Sequence, residues 1–361
     1  MPKNFLTDDL RIRDVRALIA PAILIEEIPV TPEAQDLVSS VRRDVSSVLH
    51  GADNRLVVIA GPCSIHDPRA AVEYGQRLKE MADRHPELIV IMRTYFEKPR
   101  TVGGWKGLMN DPDLNETYQI NKGLRVARQL LADLTGLGMP VACEFLDNIL
   151  PQYIADFVSW VAIGARTSES QIHREFASGC SMPVGFKNST AGQTQSAIDA
   201  VRAAALSHWF PSVTKQGNSA ILQTTGNDSC HVILRGGSET GPNYDAETVH
   251  QVSEQLETLG LPPRLMVDCS HGNSGKDHTK QRGVAELVCE LISDGDKAVF
   301  GVMLESNLHP GRQDFIPGQE LQYGISITDS CIGIEETEDI LAMLSESVKK
   351  RSGKPLKLKL S

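Results

Sequence analysis

Eight short apolar runs in this chain each end beside a residue able to do chemistry. LVVIAG (56–61) leads to Cys63, LIVIMR (88–93) closes on Arg93, PVACEF (140–145) carries Glu144, and WVAIGA (160–165) precedes Arg166. PVGFK (183–187) ends in Lys187 and HVILR (231–235) in Arg235; RLMVD (264–268) ends in Asp268 with His271 just beyond, and KAVFGVML (297–304) runs into Glu305. One arginine after a strand merely marks where polarity begins. Eight ionisable or thiol residues in series point to one converging site. Sorted by charge, Arg93, Lys98, Arg100, Arg166, Lys187 and Arg235 are cations that would repel one another without anions to neutralise them. Arginine offers a planar fork to phosphate or carboxylate, and lysine a point charge. The ligand is therefore strongly anionic, and with neither GxxxxGK[ST] nor GxGxxG in the chain, no P-loop or dinucleotide fingerprint holds it. Sorted by ligand type, Cys63, His271, Glu305 and Asp329 (in GISITDSCIG) offer a thiolate, an imidazole and two carboxylates. That mixture suits a divalent transition metal, in an open catalytic site rather than a closed structural one. Taken singly, the cysteine would be a small buried hydrophobe and Asp329 a helix cap. Asp268 reads better as a group orienting His271 or a bound water than as a ligand.

The elements that must position these groups are legible. The runs are short, continuous and rich in β-branched residues, as in parallel strands buried on both faces. Between them lie helix signals. Asp67-Pro68 is an N-cap with a first-turn proline, and Ala246, Val249, Val252, Leu256 and Leu259 step by three or four before Gly260. Eight β-then-α units imply a (β/α)8 TIM barrel, with a doubly wound sheet as the alternative. In a barrel every C-terminal strand end opens on one face, where active sites form, and strands one, seven and eight become neighbours. Residues 1–50 read as an N-terminal arm with a helix near Thr31 to Leu49, and residues 51–350 as the barrel. An inserted β hairpin is expected at about 207–230 and a frayed basic tail, able to pair as an edge strand, at 351–361.

Composition excludes several classes. The chain has 361 residues, and 36 basic against 46 acidic residues leave a net charge of −10, which argues against nucleic acid. No apolar run reaches the ~18 residues of a membrane span; Ala17 to Ile25 is interrupted by Pro21. MPKNFLTDDLRIRD lacks an apolar leader, and seven scattered cysteines without CxxC suit reduced thiols, so a cytoplasmic location is expected.

At GPCSIHDP (61–68), YFEKPRT (95–101), IGARTSESQIHRE (163–175), GFKN (185–188), ILRGG (233–237) and DCSHGNS (268–274) the chain resembles the type I 3-deoxy-D-arabino-heptulosonate 7-phosphate (DAHP) synthases, in particular the short microbial, feedback-regulated group. The similarity runs over nearly the whole chain and includes DDLRI at 8–12. The resemblance implies a (β/α)8 barrel with an N-terminal extension and an inserted β element. It also implies condensation of phosphoenolpyruvate with erythrose 4-phosphate, the first step of the shikimate pathway. The family's metal ligands fall on Cys63, His271, Glu305 and Asp329, for Mn2+, Co2+, Fe2+ or Zn2+. Its phosphoenolpyruvate contacts fall on Arg93, Lys98, Arg166, Lys187 and Arg235, and its KPRT signature for the aldose phosphate on Lys98, Pro99, Arg100 and Thr101. Asp329 also belongs to the substrate side. Lys98, Arg100, Glu144 and His271 are the expected catalytic groups. Gly103 replaces a branched residue found in many relatives.

The resemblance further implies a homodimer or homotetramer with an aromatic amino acid pocket away from the barrel mouth. It would include Asn148, Gln152, Phe176, Cys180, Ser181, Phe210, Ser212 and Leu222, with Asp8 and Asp9 from a neighbouring arm. Ser212 points to phenylalanine first, then tryptophan, then tyrosine. Three competitors are a metal-dependent sugar-phosphate aldolase, which needs no second anion cluster, a synthase using arabinose 5-phosphate, and a non-catalytic barrel, which would not keep a full ligand set.

Overall fold

The computed structural model describes residues 7–100, 102–316 and 318–352. Eight parallel strands close into a barrel in the order β1 (Leu56–Gly61), β2 (Leu88–Arg93), β3 (Val141–Glu144), β4 (Val158–Ile163), β5 (Val184–Lys187), β8 (Cys230–Leu234), β9 (Leu265–Asp268) and β10 (Val299–Glu305), which pairs back to β1. The expected barrel is thus observed, and the doubly wound alternative is excluded. Val57 to Gly61 pair with Gly301 to Glu305, so the ends of β1 and β10 lie level at the mouth. Between β5 and β8 the chain inserts an antiparallel hairpin, β6 (Trp209–Val213) with β7 (Ser219–Gln223).

Alternation along the strands divides the core in two. Leu56, Val58 and Ala60 pack outward with the surrounding helices. Val57, Ile59, Ile89, Ile91, Trp160 and Phe300 pack inward. Among the outer helices α3 (Pro68–Ala82) starts as its sequence dictates: Asp67 accepts from Arg69 N–H, and Pro68 sits in the first turn. Helix α7 (Ala246–Thr258) is followed by Gly260 at φ +72°.

The N-terminal segment is more than an arm. Its first helix, α1, is short (Pro21–Glu27), with Pro21 in the first turn. The second, α2 (Pro32–Leu49), is capped by Thr31, which accepts from Ala34 N–H. Val41, Val45, Val48 and Leu49 of α2 join the inward-facing strand residues in one cluster, so α2 closes the barrel floor opposite the mouth. The arm reading of 1–50 therefore needs correction in that part: the α2 valines recur every three or four residues because they face the barrel interior. The basic tail also begins later than expected, because α9 (Ile334–Ser352) carries the chain two residues beyond 350. The rest of that tail, and with it the edge-strand reading, lies outside the described residues, as does Thr101. No helix among the described residues is long and apolar enough to cross a membrane.

Candidate active site at the barrel mouth

At the C-terminal ends of the strands the loops enclose a cavity of about 520 Å³. Arg93, Lys98, Arg100, Arg166, Lys187 and Arg235 all line it, together with Pro99, Glu144, His271 and Asp329. Every cation singled out from the sequence is therefore brought to one cavity.

Three of the deep cations are each paired with an acid. Arg93 is buried and donates from Nη2 to Glu305 Oε1 at 3.0 Å, while its guanidinium lies 3.6 Å over the Tyr95 ring. Lys187, equally buried, donates to Asp268 Oδ2 at 2.9 Å. Burial opposes charge on Asp268, yet Lys187 and His271 hold its carboxyl well below the usual range. Lys98 Nζ lies 2.8 Å from both Cys63 Sγ and Asp329 Oδ2. Burial disfavours the Lys98 charge, but Cys63 and Asp329 outweigh it and raise its pKa. Arg235 is buried, and that burial, with Arg166 nearby, lowers its pKa although Asp268 pulls the other way. Arg100 is exposed on the rim, where its Nε donates to Trp105 O at 2.8 Å.

The four sequence-predicted metal ligands are adjacent. One ligand atom each from Cys63, Glu305 and Asp329 lies within 4.8 Å of the others. His271 stands at the edge of this triad, with Nε2 3.6 Å from Glu305 Oε1. The strand order explains the meeting, since β1, β10 and β9 are successive around the barrel. Burial, then the Glu305 charge, pushes the Cys63 thiol up to about 11. A thiol, an imidazole and two carboxylates converging on one point, with the Lys98 ammonium drawn in among them, fit a divalent cation. His271 adopts φ +56°, the left-handed region that a non-glycine residue avoids, and Lys276 N–H fixes it by donating to His271 O at 2.7 Å. Asp268 Oδ2 lies 3.0 Å from His271 Nδ1, consistent with an orienting group rather than a ligand.

Glu144 lines the cavity beside Gly164. A Cβ on Gly164 would lie 2.4 Å from Glu144 Oε1, so glycine is what leaves room for that carboxylate. A Cβ on Gly103 would meet nothing within 4 Å, so its departure from the family pattern alters no packing.

Sequence reasoning missed three contributors. Lys276 adds a seventh cation to the cavity wall; its signal was its place in the same loop as His271. Ser270 bonds to both Asp268 and His271, and its position between them in DCSH was the available clue. Glu97, beside Lys98, is a buried acid that no periodicity marks.

Of the residues expected to hold an effector, Asn148, Gln152, Phe210, Ser212 and Leu222 meet at the hairpin. Ser212 Oγ donates to Asn148 O at 3.2 Å, and Asn148 Nδ2 to Pro211 O at 3.4 Å. Lys215 Nζ donates to Gln152 O, Phe210 pairs in register with Leu222, and Phe176 packs edge-on against Phe145. Cys180 and Ser181 line a second cavity of about 520 Å³ against α2. Asp8 and Asp9 are exposed and form a local turn, Asp8 Oδ1 accepting from Asp9 N–H.

Residues 27–342 match the DAHP synthetase I family. The chain is 53% identical over 351 residues to the Phe-sensitive phospho-2-dehydro-3-deoxyheptonate aldolase of Escherichia coli, covering 97% of this chain and 100% of the relative. It is 52% identical over 346 residues to the Trp-sensitive enzyme of Enterobacter agglomerans, covering 96% and 99%. A solved phospho-2-dehydro-3-deoxyheptonate aldolase structure from Francisella tularensis superposes with a TM-score of 0.93 at 51% identity, over 95% of this chain and 100% of that one.

Proposed function

Because the chain belongs to the DAHP synthetase I family, we propose that it is a transferase condensing phosphoenolpyruvate with D-erythrose 4-phosphate to DAHP and inorganic phosphate. The observation that carries this reading is a single cavity presenting six strand-end and rim cations beside the Cys63–Glu305–Asp329 cluster. The two substrates together bring about five negative charges near neutral pH, a load these cations match.

Arg93, Arg166, Lys187 and Arg235 bind the phosphate and carboxylate of phosphoenolpyruvate. Lys98 reaches the reacting end, between that substrate and the Cys63–Asp329 edge. Arg100 and Thr101 hold the aldose phosphate, and Pro99 limits the conformations of the loop that presents them, which lowers the ordering cost of binding. A divalent ion held by Cys63, His271, Glu305 and Asp329 would act as a Lewis acid on the aldehyde oxygen, where charge develops as the enol carbon attacks. We assign Glu144, on the cavity wall, to the proton of the water that adds at C2 before phosphate leaves.

The hairpin cluster supports feedback by an aromatic amino acid. Phe176, Phe210 and Leu222 would enclose the ring and Ser181 and Gln152 the carboxylate, and Asp8 and Asp9 of a second copy would take the ammonium. Relatives of nearly equal identity carry the names Phe-sensitive and Trp-sensitive, so overall identity does not choose; Ser212 ranks phenylalanine first. Arm side chains exposed in the single chain, Leu10 at 69%, Ile12 at 58% and Val15 at 83%, support assembly into a homodimer or homotetramer. Free thiols at all seven cysteines support a reducing, cytoplasmic setting.

The test is turnover with phosphoenolpyruvate and erythrose 4-phosphate, followed by phosphate release, with and without chelator and with Phe, Trp and Tyr each added. Condensation without phosphate release would point to an aldolase, and preference for arabinose 5-phosphate to the sister synthase. Absence of turnover with added Mn2+ would leave a binding barrel.

A further inference from the structure

Asp268 ends β9 with its side chain fully buried. Its carboxylate can only accept hydrogen bonds, and donors surround it. Oδ1 accepts from Ser270 N–H at 3.0 Å and from the Ser270 hydroxyl at 2.6 Å. Oδ2 accepts from Lys187 Nζ at 2.9 Å and faces His271 Nδ1 at 3.0 Å. Ser270 Oγ itself lies 2.6 Å from that same Nδ1.

These distances fix where the protons sit. A lone pair on Nδ1 would confront the Oδ2 charge at 3.0 Å, so Nδ1 carries the hydrogen. The Ser270 hydroxyl then cannot donate to Nδ1 and gives its hydrogen to Asp268. Its oxygen is turned toward Nδ1–H as an acceptor. Nε2 is the ring nitrogen turned toward Glu305. Ser270 and Asp268 thus present His271 in the tautomer a metal ligand needs.

One oxygen, Oδ2, serves both Lys187 and His271. An anion that draws the Lys187 ammonium toward itself leaves more of the Oδ2 charge to the Nδ1–H, which makes Nε2 a stronger donor. We propose that Asp268, held in place by Ser270 as a positioning residue, couples substrate-anion binding at Lys187 to metal binding at His271. Each ligand tightens the other by the same factor, because coupling between binding sites is reciprocal. The proposal rests on reading His271 as a metal ligand and Lys187 as a phosphoenolpyruvate contact.

The test measures binding to the full chain rather than turnover. Mn2+ is titrated by calorimetry into wild type, Ser270→Ala, Ser270→Thr and Cys63→Ala, with and without saturating phosphoenolpyruvate. Phosphoenolpyruvate is also titrated into each metal-free protein. In wild type, phosphoenolpyruvate should tighten Mn2+ by about fivefold or more. Ser270→Ala should bind Mn2+ about 10- to 100-fold more weakly and show a smaller enhancement, while its metal-free affinity for phosphoenolpyruvate stays within about twofold of wild type. Ser270→Thr, which keeps the hydroxyl, should recover both properties. Wild-type Mn2+ affinity in Ser270→Ala, or an undiminished enhancement, overturns the proposal. A parallel loss of metal-free phosphoenolpyruvate binding also overturns it, because a collapsed loop would do the same. If Cys63→Ala and wild type bind Mn2+ alike, the metal-site reading fails and the coupling fails with it.

Discussion

Glu97 offers a test of the cavity's electrostatics that does not depend on any ligand. It is 6% exposed, and burial, reinforced by the charges of Asp147 and Glu144, pushes its carboxyl from an ordinary 4.5 up to about 8. The folded chain therefore holds a proton where the unfolded chain has released it. The stability this contributes is complete below pH ~4.5 and is lost as pH rises through ~8. Each pH unit within that window costs at most about 1.4 kcal/mol. From pH 5 to pH 8 the ceiling is thus about 4 kcal/mol, and relaxation with water entry reduces it to about 2 kcal/mol. Glu97→Gln keeps the shape and cannot ionise. Urea unfolding of both proteins at pH 5, 7 and 8.5, at one ionic strength, should show the variant gaining on wild type as pH rises, by about 2 kcal/mol between the extremes. Parallel curves, or a variant that falls behind at high pH, would refute this account of Glu97 and of its acidic neighbours Asp147 and Glu144.

Four further outcomes follow from the site. Chelator should abolish activity and Mn2+, Co2+ or Fe2+ restore it, while Cys63→Ala should weaken metal binding with the melting temperature little changed; full activity in the metal-free variant would contradict the ligand set. Arg100→Ala should raise the KM for erythrose 4-phosphate roughly 10- to 150-fold, the loss of a charge-assisted contact of ~1.5–3 kcal/mol, whereas Lys98→Ala should weaken phosphoenolpyruvate and lower kcat; identical effects on both substrates would contradict the assignment. Gly164→Ala should lower kcat by more than about tenfold with the fold retained, since its Cβ would displace the Glu144 carboxylate; an unchanged kcat would remove Glu144 from the chemistry. Deleting residues 1–15 should relieve inhibition by the aromatic amino acid and spare catalysis, and a full-length enzyme indifferent to Phe, Trp and Tyr would leave the arm as an assembly element alone.

The barrel and its mouth were legible because two strong signals agree. Runs such as LIVIMR are apolar on both faces, which only a sheet covered on both sides requires, and β2 spans that run residue for residue. The ionisable or thiol residue at or just past the end of each run marks the end at which the mouth must lie. The role of α2 was less legible. A helix with one apolar stripe looks the same whether it covers an outer sheet face or plugs a barrel floor, and only the closed topology tells that Val45 belongs to the interior cluster that holds Trp160 and Phe300. Ser270 and Glu97 were hidden for a different reason. A serine between two functional residues and an acid beside a lysine are ordinary in sequence, and their meaning lies in distances and burial. The hairpin was inferred from spacing and from the resemblance, and exposed apolar residues such as Trp209 and Ile221 blurred the polar–apolar alternation of its strands.

The pairing of charges explains how so many cations can share one mouth in the folded chain. Burying an unpaired arginine or lysine costs several kcal/mol, and Arg93, Lys98 and Lys187 would together exceed the margin on which a protein is stable. Each is instead neutralised from the β9–β10 side, by Glu305, Asp329 and Asp268 respectively. Two of those acids belong to the proposed metal set, and the third orients His271. Cation binding by the acids and anion binding by the basic residues are therefore exchanges of partner rather than creations of charge in a dry cavity. On the proposed reading, a metal held by Glu305 and Asp329 would free Arg93 and Lys98 toward substrate. The same pairs let the folded barrel hold these cations at its mouth without an unpaired buried charge among the three.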